Sequence, residues 1–103
     1  MQFAQVGLAA GAAGWKAGHE VVRSGALVLS QAYTAMPDGS FEPELERAVK
    51  DYAADRARSY MHERIAALDL TPAQGVRVCF AYAHAFKNGV LDEAATGAAA
   101  SGP

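Results

Sequence analysis

The sequence predicts an all-α fold of three main helices, packed as an antiparallel bundle or a helical hairpin with an unusually long first helix. Three observations predict it. Glycines recur in helical phase over the first third of the chain, an amphipathic stretch follows, and a capping box opens a third apolar stretch. The 103 residues fit one domain. We expect a single helical domain over residues 1–91 and an Ala/Gly-rich C-terminal tail over residues 92–103.

The first helix is predicted from about Gln2 to Ala35 because five glycines share one side of it. At 100° per residue they fall within a sector of about 60°, and polar residues fall on the opposite side. These glycines are Gly7, Gly11, Gly14, Gly18 and Gly25. A break near Gly18 or Gly25 is an alternative. Loop glycines in an Ala/Gly-rich sequence are another, but nothing in a loop requires the shared phase.

Glycines inside a helix predict close packing against a neighbour. Each costs roughly 1 kcal/mol relative to alanine, so we expect something to lie against the stripe. Gly7–Gly11 and Gly14–Gly18 have the Gly-x-x-x-Gly spacing that lets membrane helices pack tightly. We therefore predict a docking surface for another protein helix. Its residues are Gly7, Gly11, Gly14, Trp15, Gly18, Val22, Gly25 and Leu29.

A turn and a second helix follow. Met36–Ser40 contains Pro-Asp-Gly and is typical of a turn. The second helix is predicted over about Phe41–Leu68, with Ser40 as its N-cap and Pro43 in its first turn. Two apolar stripes predict two helical neighbours. One contains Leu45, Val49, Tyr52 and Tyr60, and the other contains Ala54, Ala57, Met61, Ile65 and Leu68.

The third helix is predicted over about Pro72–Lys87. Thr71 and Gln74 have the spacing of a capping box, and Asn88-Gly89 is typical of a helix end. Asp92 is expected to cap a short helix that ends at Ala95. The predicted buried face of the third helix comprises Val76, Cys79, Phe80, Ala83 and Phe86, widened by Val78 and Tyr82.

The search for chemistry predicts no catalytic, metal-binding or cofactor-binding residue, and so no enzyme. His19, His62 and His84 do not form the Glu-x-x-His pairs of di-iron bundles. Cys79 lies between Val78 and Phe80, which favours a buried structural thiol over a nucleophile. The glycines lack the Gly-Lys-Ser/Thr of a phosphate loop.

The charge balance and the hydropathy of the chain restrict the classes of partner that it can bind. Nine basic and eleven acidic residues leave a net charge of −2, which disfavours nucleic acid. The uncharged runs 1–15 and 24–37 are shorter than the roughly 20 residues that span a bilayer. A membrane surface stays open as a partner, since Phe3 and Trp15 lie toward the apolar side. No secretory signal is evident, so we expect a location in the cytoplasm or within a particle.

These observations together predict a non-enzymatic structural or assembly subunit of a larger complex, such as a virion or a membrane-associated machine. Its expected partners are protein subunits, either copies of itself or other chains. Two alternatives stay open. One is a membrane-active helical protein delivered by a virus particle. The other is a small helical regulator that binds nucleic acid or a protein, since Leu70–Gln74 superficially suits a helix-turn-helix.

Overall fold

The computed structural model describes residues 3–27 and 43–100, with side chains described as far as residue 95. The described chain folds into three helices, α1 (Phe3–Arg23), α2 (Pro43–Leu68) and α3 (Pro72–Ala100). The prediction of an all-α three-helix bundle is confirmed. The first helix is the shortest of the three, with 21 residues against 26 and 29.

Helix α3 is the centre of the fold, and α1 and α2 each pack mainly on it. Helix α2 runs antiparallel to α3, because Glu46 accepts a hydrogen bond from Lys87 at one end while Ile65 lies against Gly75 at the other. Helix α1 runs parallel to α3. Gly14 lies opposite Tyr82, and one turn later Gly18 lies opposite Phe86. Consecutive helices therefore run antiparallel, as the sequence predicts, and α1 is parallel to α3 because α2 reverses direction between them.

Helix α1 ends at Arg23, so the prediction that it continues to Ala35 is wrong. Gly25 has a φ of 82°, in the left-handed region that glycine enters without steric cost. Beyond it the Leu27 N–H donates to the Val21 carbonyl at 2.9 Å, and the Leu27 side chain returns to the core. The helix thus ends close to Gly25, one of the two positions at which the sequence analysis allowed a break. The predicted turn at Met36–Ser40 and the Ser40 cap lie outside the described residues.

The turn between α2 and α3 is short and locally encoded. Asp69 adopts a φ of 52°, and Leu70 N–H donates back to the Ile65 carbonyl at 3.4 Å. The predicted capping box is confirmed by both of its bonds. The Thr71 N–H donates to Gln74 Oε1 at 3.0 Å, and the Gln74 N–H donates to Thr71 Oγ1 at 3.2 Å. Helix α3 therefore begins where the sequence predicts.

Helix α3 does not end at Asn88-Gly89 but continues to Ala100, so the predicted stop is wrong. Gly89 is buried within the helix, and its α-carbon faces the backbone of Trp15 with no room for a side chain. Tertiary packing thus overrides the local tendency of Asn-Gly to end a helix. The division into a domain of residues 1–91 and a tail of residues 92–103 stays a prediction, although Asp92 and Glu93 contact α1.

The core follows one line of α3, formed by Val78, Tyr82, Phe86 and Val90 at four-residue spacing. The Tyr82 ring lies 4.9 Å from that of Tyr60, and burial raises the pKa of the Tyr82 phenol. Helix α2 faces this line with one continuous stripe, where the sequence predicted two separate stripes. Its buried members are Leu45, Val49, Ala53 and Ala57.

The predicted buried face of α3 is rotated from the observed one. Val76 and Phe80 are 49% and 72% exposed, while Cys79 and Ala83 are only half-buried. The physical reason lies in the glycines. Gly75 and Gly89 belong to the buried face because they admit α2 and α1 closely, but glycine carries no apolar side chain to mark that face. The apolar pattern alone therefore shifts the predicted centre toward Phe80.

Two glycine substitutions on α1 are expected to change stability in opposite directions. A methyl group at Gly14 would overlap the Tyr82 carbonyl oxygen, so Gly14→Ala should lower the free energy of unfolding by about 1–3 kcal/mol. A methyl group at Gly11 meets no described atom within 4 Å, so Gly11→Ala should raise it by about 1 kcal/mol. Urea unfolding at low protein concentration measures both. Equal effects of the two variants would contradict the described packing.

Candidate protein-interaction surface on helix α1

The structure divides the five predicted glycines into three groups. Gly14 and Gly18 are buried, and the backbone of α3 occupies the space where their side chains would stand. Gly25 is exposed in the turn after α1. Gly7 and Gly11 are half-buried, and no described atom lies within 4 Å of a Cβ built on either of them. The neighbour expected against the stripe is therefore, for Gly14 and Gly18, a helix of the same chain.

The larger residues of the predicted surface also separate. Val22 is half-buried and packs against the core, so it is directed inward. Trp15 is 46% exposed. Leu29 lies outside the described residues. As a surface for another chain, the prediction stays untested, and only the residues that α3 leaves uncovered can take part in it.

Five exposed or half-buried residues on one side of α1 form a continuous strip, which we call the α1 outer face. At 100° per residue its members fall within a sector of about 100°. They are Ala4, Gly7, Leu8, Gly11 and Trp15. Leu8 is 75% exposed, and the sequence from Phe3 to Trp15 contains no charged residue. The strip is therefore apolar, with two large side chains beside two bare backbone positions.

Trp15 is held firmly at the end of this strip. Its backbone lies against Gly89 of α3, and its ring packs on the His19 imidazole with 4.0 Å between ring centroids and 55° between planes. Its exposed edge is thus presented in a set orientation. Aromatic residues are enriched in the cores of protein interfaces.

A cluster of charged groups ties the end of α1 to α3. His19 is only 8% exposed, and its Nδ1 lies 2.6 Å from Glu93 Oε2. Arg23 donates to the same oxygen at 3.2 Å. His19 Nε2 lies 2.9 Å from Asp92 Oδ2 but makes no hydrogen bond within the described structure. The His19 ring of this cluster packs against the Trp15 ring, and the bonds from His19 and Arg23 to Glu93 align the two parallel helices.

Sequence reasoning missed this cluster because its two halves are 74 residues apart and the predicted tail contained Asp92 and Glu93. The hydrogen bond from Arg23, followed by that from His19, holds the pKa of the Glu93 carboxyl below its usual value. The geometry is that of a structural clamp. Over the described ranges 3–27 and 43–95, no group of three His, Cys, Asp or Glu side chains is placed to hold a metal ion.

Other parts of the described chain offer weaker candidates for a functional site. His62 and His84 are exposed on different helices, and Cys79 is half-buried. None of the three described helices is long and apolar enough to span a bilayer. Comparison with protein-family models, with curated proteins and with solved structures finds no match for this chain. The α1 outer face is therefore the feature on which a functional proposal rests.

The Glu93 clamp is expected to make stability depend on pH on the acid side. Because the folded-state pKa of Glu93 lies below the unfolded value of 4.5, its contribution is fully present above about pH 4.5 and is lost as pH falls through the folded pKa. The difference in melting temperature between the wild type and Glu93→Gln should therefore shrink below that pH. Glu63→Gln, at an exposed position of α2, is the control. A difference that stays constant down to pH 2 would contradict the clamp.

Proposed function

We propose that this chain is a non-enzymatic structural subunit of a larger complex, such as a virus particle, and that it binds a helix of another protein subunit through the α1 outer face. The observation that carries the proposal is the pair Gly7 and Gly11. Each weakens α1 by roughly 1 kcal/mol, and no described atom lies within 4 Å of a Cβ built on either of them. Gly14 and Gly18, on the same helix, are compensated by the close approach of α3.

The side chains around these glycines support a protein partner. Burial of a leucine stabilises a complex by about 1.5–3 kcal/mol, and Leu8 is almost fully available for it. Trp15 adds an aromatic side chain in a set orientation. Because residues 3–15 carry no charge, a partner covers the face without desolvating an ion. An uncharged centre of this kind is typical of the core of a protein interface.

The two alternative partners receive less support from the same face. Nucleic acid needs basic groups that reach phosphates, and the α1 outer face contains none. A lipid surface favours helices with many cations along the polar side, whereas α1 contributes Lys16 and Arg23. Bare glycine backbone also offers little apolar area to acyl chains. A second helix, by contrast, gains from glycine because the two backbones can approach closely.

The test compares two leucine substitutions about 120° apart around α1. Gly11→Leu places a side chain on the outer face where space is open, and Gln5→Leu places the same side chain at an exposed position off that face. The native mass of the complex that carries the chain is measured by sedimentation in extracts of cells that produce it. We expect the wild type and Gln5→Leu to sediment far above 10.8 kDa and Gly11→Leu to sediment as a monomer.

Two results would remove this function. One is a wild-type chain that sediments as a monomer, and the other is Gly11→Leu in the same complex as the wild type. A parallel vesicle flotation experiment covers the membrane alternative. If the wild type floats with anionic vesicles and Leu8→Ser does not, the α1 outer face binds lipid and the proposal of a protein partner is wrong.

A further inference from the structure

His19 is a buried histidine with a carboxylate oxygen beside each of its two ring nitrogens. The side chain is 8% exposed, and its Nδ1 and Nε2 lie 2.6 Å from Glu93 Oε2 and 2.9 Å from Asp92 Oδ2. A neutral imidazole has one N–H and one lone pair, whereas the imidazolium has an N–H on both nitrogens. Only the imidazolium can therefore present a proton to both carboxylates.

The charged groups that face His19 come from α1 and α3. Asp92 and Glu93 approach from α3, and Arg23 of α1 reaches the same Glu93 oxygen at 3.2 Å. Around a neutral imidazole, two carboxylates and one guanidinium sum to a charge of −1, and the imidazolium brings that sum to zero. Since a net charge is costly to bury, the cluster favours the protonated ring. Two further charged residues of α1 are exposed and opposite in sign, namely Lys16 and Glu20.

Loss of the His19 proton acts on the contact with Asp92. The Nδ1–H keeps its short hydrogen bond to Glu93, so the lone pair of Nε2 then faces a second carboxylate oxygen. Nε2 is buried and has no other hydrogen-bond partner in the described structure. The Asp92 side chain is 54% exposed and can turn outward to water. The contact between His19 and Asp92 therefore opens when the ring is neutral.

The same proton acts on Trp15, whose ring lies against the imidazole with 4.0 Å between centroids. An aromatic ring attracts a cation through its quadrupole, and indole does so most strongly. The imidazolium therefore holds the Trp15 ring more firmly than the neutral imidazole does. Trp15 is already 46% exposed, so a weaker hold lets it move into solvent.

We propose that His19 is a proton-operated switch that fastens α3 to α1 and sets the hold on Trp15. Histidine is the side chain whose charge ordinarily changes between about pH 5 and 8. Hydrogen bonds from Arg23 and His19 hold the pKa of the Glu93 carboxyl below its usual value, so Glu93 is ionised throughout that range. Because Trp15 belongs to the α1 outer face, the shape of that face changes with pH, whatever molecule it meets.

Fluorescence quenching by acrylamide tests the switch, because Trp15 is the single tryptophan of the chain. In the wild type, the quenching constant should be higher at about pH 8 than at about pH 5.5, with the midpoint at which the NMR signal of the His19 ring titrates. His19→Gln has no titratable ring at this position and should lose the pH dependence. His62→Gln, at an exposed position of α2, is the matched control and should keep it.

Asp92→Asn tests the role of the second carboxylate at a half-exposed position that the fold tolerates. The midpoint should move to lower pH, since one of the two charges that favour the imidazolium is gone. A wild-type quenching constant that stays the same across the range would overturn the switch, and so would a midpoint that Asp92→Asn leaves in place. Circular dichroism checks folding, and if His19→Gln is unfolded, the wild type and Asp92→Asn decide alone. These measurements use the dilute chain without a partner, so their failure leaves the proposed function standing.

Discussion

The close approach of α1 and α3 is the constraint on which the rest of the structure depends. It is reciprocal, since Gly14 and Gly18 admit the α3 backbone while Gly89 admits the α1 backbone at Trp15. A side chain at any of the three would overlap main-chain atoms of the neighbouring helix. The approach sets the parallel register, and the register in turn brings His19 between Asp92 and Glu93. That clamp orients Trp15, so the exposed surface of α1 follows from the buried one.

The same helix therefore uses glycine in two ways. In its second half, glycine lets two helices of one chain meet at backbone distance, and the lost helix propensity is offset by packing. In its first half, Gly7 and Gly11 have the same spacing, and no described atom lies within 4 Å of a Cβ built on either of them. Helix α1 holds its position through Val6 and Ala10, which are buried against Val78 on the adjoining side. These contacts hold α1 in the bundle from the side next to Gly7 and Gly11.

The sequence predicted correctly those features of the fold that depend on interactions between residues close together in the chain. The capping box at Thr71 and the helical character of all three segments needed no tertiary information. The glycine phase correctly indicated that something lies against Gly14 and Gly18. Periodicity shows that a helix face must be covered but not which helix covers it, so a foreign partner was expected where α3 lies. The sequence Asn88-Gly89 is typical of a helix end, so the continuation of α3 could not be predicted from it. The pairing of His19 with Glu93 joins residues 74 positions apart, so neither segment alone indicates it.

The most direct test of the account is the concentration dependence of backbone amide chemical shifts in the full chain. The glycines offer an internal comparison, because Gly14, Gly18 and Gly89 are packed inside the bundle and Gly7 and Gly11 are open. On concentration from the dilute monomer, the amides of Gly7 and Gly11 should shift, while those of Gly14, Gly18 and Gly89 should stay in place. Amides of Gly7 and Gly11 that do not move, while the chain assembles through other residues, would contradict it.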